Sequence, residues 1–303
     1  MLPRCPRLLE LDASGPMTAL LRPSLASASL CALRLRGCGA MVALRVACPV
    51  LHTLQLEGAE QLRELRVSSG NLRTLSLSGC QQLTAVHLVC PALIDLDLSS
   101  CVALPTEAVE RLLPQCAALT SLNLSGCRRL TSLRLASSSL YSLQLCWCSA
   151  LASLQLASCP QLRRLYAFGC PRLSTLETAG CGNLRLLELQ KCKALDDAVL
   201  APIAVALPLL SVLNLTDCQL LRHPVLVSAQ LLTLHLYNCL RLASATVHCP
   251  HLELLNLTHC TALAAVELRC PQLATLLCAG CKVLQPAEPE PETETETETE
   301  PEP

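Results

Sequence analysis

The chain has 303 residues, 23 Lys plus Arg against 24 Asp plus Glu, and 51% hydrophobic residues, with Leu alone close to a quarter. That richness excludes a disordered chain, which cannot bury enough apolar surface to offset its ordering entropy. With only 2% aromatic residues the core must be aliphatic, and because polar residues interrupt the leucines every two or three positions, no stretch reaches the roughly 20 apolar residues of a membrane span.

The first residues lack the apolar core of a secretory signal, roughly 7–15 residues long, and Leu8, Leu11 and Ala13 already fit the pattern that follows. From there a template L-x-x-L-x-L-x-x-C recurs, starting at Leu30, Leu51, Leu72, Leu93, Leu119, Leu140, Leu162, Leu184, Leu210, Leu231, Leu252 and Leu273, with a degenerate copy at Leu8. Repetition at such a period is the signature of a stacked solenoid, here of about thirteen coils over residues 1–284. Leucines at positions 4 and 6 alternate as in a strand with one buried face, and position 1 packs between coils. A looser half-template, as in Leu83, Val86, Leu88 or Leu130, Leu133, Leu135, makes a second apolar wall in each short coil. Parallel stacking of the template strands at about 4.8 Å predicts a solenoid roughly 60 Å long. No coil folds alone, since each buries its leucines only against a neighbour.

Two longer coils interrupt the short period. After Cys101, Thr106 is placed to cap a helix, with Glu107 and Glu110 at its positive end and Pro114 as its stop. After Cys192 the design repeats, with Asp196 or Asp197 as cap and Pro208 as stop. Both insertions follow the Cys-ended strand, which makes that strand the concave one and the looser half the convex wall. Residues 285–303 hold eight Glu and neither Lys nor Arg; without them the body has 16 acids against 23 bases. This Pro/Glu/Thr tail is expected to be disordered, extended by self-repulsion and passive.

Of 22 cysteines, eleven fall at template position 9 and eight precede position 1 by three residues; Cys31, Cys146 and Cys278 lie off these rows. A buried thiol is a small apolar group with a weak donor, suited to satisfy a carbonyl where the chain leaves the strand. Disulfides along a row would need a torsion near 90° that parallel side chains disfavour, so a reducing compartment, cytoplasmic or nuclear, is expected. The pairs Cys146/Cys148 and Cys278/Cys281 resemble zinc half-sites, whereas the cluster of His248, Cys249, His251, His259 and Cys260 arises from the repeat itself. No metal and no cofactor is expected.

L-x-x-L-x-L-x-x-C, preceded by C-P-x at Cys90-Pro91-Ala92-Leu93 and Cys249-Pro250-His251-Leu252, resembles the cysteine-containing leucine-rich repeat of F-box/LRR proteins, the short coils being most similar to those of the plant F-box/LRR-repeat protein 15 group. The resemblance implies an α/β fold: a right-handed, ribonuclease-inhibitor-like leucine-rich-repeat solenoid with a parallel concave sheet, coils of 21–22 residues and few helices. In that family an F-box docks a Skp-type adaptor of a cullin ubiquitin ligase and the repeats bind the substrate. No F-box is read in this chain, so an adaptor is implied only if one lies outside it.

No nucleophile elbow, phosphate loop or paired carboxylate cleft breaks the repeat, so an enzyme is not expected. The expected surface is the concave face. Trp147, Arg164, Tyr166 and Phe168 form its centre, His235 and Tyr237 a weaker patch with Asn238 and His259, and Asp95 and Asp97 an acidic patch. Exposed Trp, Tyr and Arg dominate interface energies. Nucleic acid is not an expected partner, because the basic residues do not cluster on one strand face. The reading is a non-enzymatic protein-interaction scaffold, the substrate-recognition region of an SCF-type ligase receptor; the alternative is a structural or adhesion-type solenoid without that link.

Overall fold

The computed structural model describes residues 5–16 and 21–281. The Leu8 copy and all twelve full templates place positions 3–5 in a three-residue strand, from Glu10–Asp12 and Ala32–Arg34 to Leu254–Asn256 and Thr275–Leu277. These join into a single 13-stranded sheet in chain order. Pairing is parallel and in register throughout, so each template position becomes a straight column: Leu54 faces Leu33 on one side and Leu75 on the other. Between the two end coils positions 1, 4 and 6 are closed to solvent, as Leu51, Leu54 and Leu56 illustrate. Burying each such side chain contributes roughly 1.5–3 kcal/mol, but only once the next coil covers it.

The looser half-templates build the opposite wall. It is divided among the described residues into one four-stranded and two three-stranded parallel sheets. The divisions fall at the two longer coils. There a helix, Thr106–Leu112, takes the place of a strand and packs against Ala85–Val89 and Ser132–Ala136; further on, Asp197–Leu200 packs against Val225–Val227. Twenty-six residues need a helix to fit the same lateral spacing that a short coil spans with a strand.

Two local expectations change. Thr106 is the first helical residue rather than the cap: it is buried, and its hydroxyl accepts from Thr131 N of the next coil at 3.1 Å, so it ties coils together and the cap position falls to Pro105. The second insertion forms two short helices, Asp197–Leu200 and Ile203–Ala206, separated at Pro202, which has no N–H to continue the first. Of the two cap candidates Asp196 serves, accepting from Ala198 N at 3.1 Å. Asp197 instead accepts from Arg222 N and His223 N of the following coil. The acidic tail lies outside the described residues.

The cysteine rows do what a small donor can do. All eleven position-9 thiols donate to the position-6 carbonyl of the preceding coil, at 2.8–3.4 Å. Four of the second row, Cys90, Cys159, Cys249 and Cys270, reach back to a carbonyl of the preceding coil in the same way. All 22 cysteines are free thiols. Burial pushes Cys80, Cys127, Cys192 and Cys239 up to about 12, which keeps these thiols protonated and donating.

Candidate functional site

The columns left free by the leucines carry the chemistry. Positions 3 and 5 lie on the outer face of the long sheet, and position 2 just precedes it. On this face Arg164 and Tyr166 share the strand Arg164–Tyr166. One coil earlier Tyr141, at position 2, sits beneath two guanidinium groups: Arg163 and Arg164 lie 5.6 and 5.5 Å from its ring centroid. Neither arginine pairs with a carboxylate among the described residues. Near the N terminus the same face is different, since Arg34 meets Glu10 there, and in the adjoining turns Arg36 meets Glu57. The middle coils therefore present unneutralised planar cations stacked on an aromatic ring, each stack contributing about 0.5–1 kcal/mol when exposed.

The structure divides the aromatic cluster expected from sequence. Trp147 and Phe168 belong to the turn after the strand, at positions 8 and 7. In every coil position 8 adopts a left-handed backbone, as glycine at 15, 37, 58, 79, 126, 169 and 280, and as Ser100, Trp147, Lys191, Asp217, Asn238 and His259 elsewhere. That backbone turns the side chain off the sheet face and over the next coil. Trp147, 53% exposed, lies across Gly169, where even a Cβ would come within 2.5 Å of the indole. It meets Phe168 edge-on with centroids 5.5 Å apart, and Lys191 Nζ stands 5.6 Å from its ring.

The remaining expected residues are dispersed. Tyr237 meets His259 edge-on at 5.4 Å, while Asn238 donates to Asp217 Oδ1. His235 lies on the sheet face in the column of Asn214 and Asn256. Asp95 is exposed on that face, and Asp97 accepts from Ser99 N at 2.8 Å, closing its own turn. Both patches stand three coils from Arg164, about 14 Å at strand spacing. Tyr141, Arg163 and Lys191 join the clusters without having been singled out from sequence. Aligning the coils would have revealed the first two, because Tyr141 and Arg163 occupy the same template position in consecutive repeats.

Beside Trp147 a groove of about 670 Å³ runs along the turn edge over five coils, lined at positions 7, 8 and 10 by residues from Ser99 to Lys193. No group of three potential metal ligands gathers among the described residues, and no helix there is long and apolar enough to cross a membrane.

Residues 80–177 match the family described as the LRR repeats of the FBD-associated F-box protein At5g56370. Over that third of the chain, its coils are similar to the leucine-rich repeats of an F-box protein. No curated protein matches the chain. Among solved structures, the functional domain of InlJ from Listeria monocytogenes, which includes a cysteine ladder, is 14% identical, with 84% of this chain and 66% of that one covered at a TM-score of 0.25. A leucine-rich repeat protein from Bacteroides ovatus ATCC 8483 is 12% identical, with 92% and 86% covered at a TM-score of 0.25. This chain spans just under two thirds of the InlJ domain. The leucine-rich-repeat architecture rests on the columns and thiol rows described above, and it is the architecture of protein-interaction scaffolds.

Proposed function

We propose that the chain is a non-enzymatic scaffold that captures a protein partner on the face of its long sheet, centred on Arg164 and Tyr166 with Tyr141 and Arg163. We further propose that it serves as the substrate-recognition region of an SCF-type ubiquitin ligase receptor, its Skp-type adaptor being held by an F-box outside this chain. The observation that carries the binding reading is the stack of Arg163 and Arg164 over Tyr141, exposed and without carboxylate partners among the described residues. Such groups supply most of the energy at interfaces, and the solenoid holds their backbone in place, which lowers the ordering cost met on binding. The similarity of residues 80–177 to F-box-protein repeats supports the ligase setting.

The test is affinity capture from the native source, with the full chain and its Arg164→Ala/Tyr166→Ala variant as baits. The partner enriched by the wild-type chain should fall at least tenfold with the variant, while the thermal midpoints of the two proteins agree. Equal capture by both would overturn the sheet-face reading. Absence of a Skp-type adaptor from complexes of the full gene product would overturn the ligase setting and leave the structural or adhesion-type alternative.

A further inference from the structure

The groove along the turn edge has a composition that the sheet face does not. Among the described residues its charged lining is Arg128, Lys191 and Lys193, with no carboxylate. Hydroxyls of Ser100, Ser125 and Ser149 also line it, and Trp147 forms an apolar wall. The nearest acid along the position-8 row, Asp217, is already engaged by the Asn238 amide. Three residues of the lining, Ser100, Trp147 and Lys191, hold the left-handed backbone that glycine holds in other coils. A non-glycine residue kept in that region, where glycine would relieve the strain, points to a use for its side chain.

Three cations facing one groove with no counter-charge among the described residues call for an extended anionic segment, and this chain carries one. Eight Glu alternate along residues 285–303. The last described residue, Cys281, is the position-9 residue of its coil, so the chain departs from the edge on which the groove lies. At about 4.8 Å per coil, Lys193 is about 19 Å back along that edge and Ser100 about 38 Å. The 22 residues after Cys281 span about 70 Å when extended, enough to reach both ends. Arg128 and Lys193 stand three coils apart, about 14 Å, close to the span of a Glu and the Glu four residues on in an extended chain. Because Glu recurs at every second position, a slip of two residues restores the same matching, so many registers are equivalent.

We propose that this groove is an anionic-peptide site and that its occupant is the chain's own Glu-rich tail, docked along the turn edge over Arg128, Lys191 and Lys193. Tethering raises the local tail concentration to the millimolar range, so a few screened ion pairs suffice for occupancy. An acidic segment of a partner then enters only by displacing the tail.

Trp147 is the only tryptophan and lines the groove, so its emission reports occupancy in the full-length protein. The experiment compares the wild-type chain, a full-length chain with the eight tail Glu changed to Gln, and a full-length Arg128→Gln/Lys191→Gln/Lys193→Gln chain, from about 10 mM to 1 M salt, a range over which the screening length falls from about 30 to 3 Å. Wild-type emission should move with salt, the two variants should be salt-insensitive, and combining their substitutions should add nothing. A synthetic (Glu-Thr)4 peptide should bind the neutral-tail chain at least tenfold more tightly than the wild-type chain. Identical emission of wild-type and neutral-tail chains at low salt would overturn the proposal, as would a salt response that survives in the triple variant. Equal peptide affinity for wild-type and neutral-tail chains would also overturn it, showing a groove open to acidic partners in trans and not held by the tail.

Discussion

The turn edge of the first coils and that of the later coils follow one backbone with different side chains. Gly15, Gly37, Gly58 and Gly79 turn out of the strand in the left-handed region, where glycine meets no Cβ penalty. From Ser100 onward the same turn is made six times by residues with side chains, at a cost of about 1–2 kcal/mol each unless a short polar group relieves it locally. The same backbone turn forms with glycine in the early coils and with side-chain-bearing residues in the later ones, so the turn does not need those side chains to form. The early edge is built for folding, and the later edge gives up some stability to present Trp147, Lys191 and their neighbours.

The comparison is sharpest where the two kinds of turn touch. Gly169→Ala meets both penalties, a left-handed alanine and a Cβ driven into the Trp147 indole, and is expected to cost about 2–3 kcal/mol. Calorimetric unfolding should register the loss, and displacement of the indole should change its emission. At Gly58 the added Cβ meets nothing closer than 3.9 Å, so Gly58→Ala should cost only about 1 kcal/mol, the strain less the entropy removed from the unfolded chain. A cost at Gly58 as large as at Gly169 would show that contact with Trp147 adds nothing. In the other direction, Lys191→Gly should stabilise by about 0.5–1 kcal/mol in denaturant unfolding. The matching Asn238→Gly should fall within about 0.5 kcal/mol of zero, because Asn tolerates this backbone. If Lys191→Gly destabilised the protein, the later turns would be structural rather than presenting.

Much of this architecture was legible in the sequence because the repeat encodes it twice. Leucine spacing set the strands and their buried columns, and the position-9 cysteines marked where the chain leaves each strand, as their bonds to the preceding coil's carbonyls bear out. The division of the aromatic cluster was readable too, though not from hydrophobic period. At template position 8 Gly stands immediately before Cys at 37, 79, 126, 169 and 280, and a recurring glycine ahead of a buried turn residue marks a left-handed position. That signal would have put Trp147 on the edge rather than on the sheet face with Tyr166. The role of Thr106 was not legible. Its hydroxyl binds Thr131, 25 residues away, and local spacing favours the cap over a partner that only stacking brings near. The break at Pro202 was local and readable, since a residue without an N–H stands mid-way through the insertion.

At the two helix-bearing coils the wall loses its strand ladder, and the long sheet, the packed leucines and the helices' own contacts bridge the division. In a molecule whose elements touch only their neighbours, such joints set the boundaries of partial opening. The protein is then three blocks of coils on one spine, able to open block by block from an end while the middle block, which carries Tyr141, Arg164 and Trp147, is the last to lose its shape.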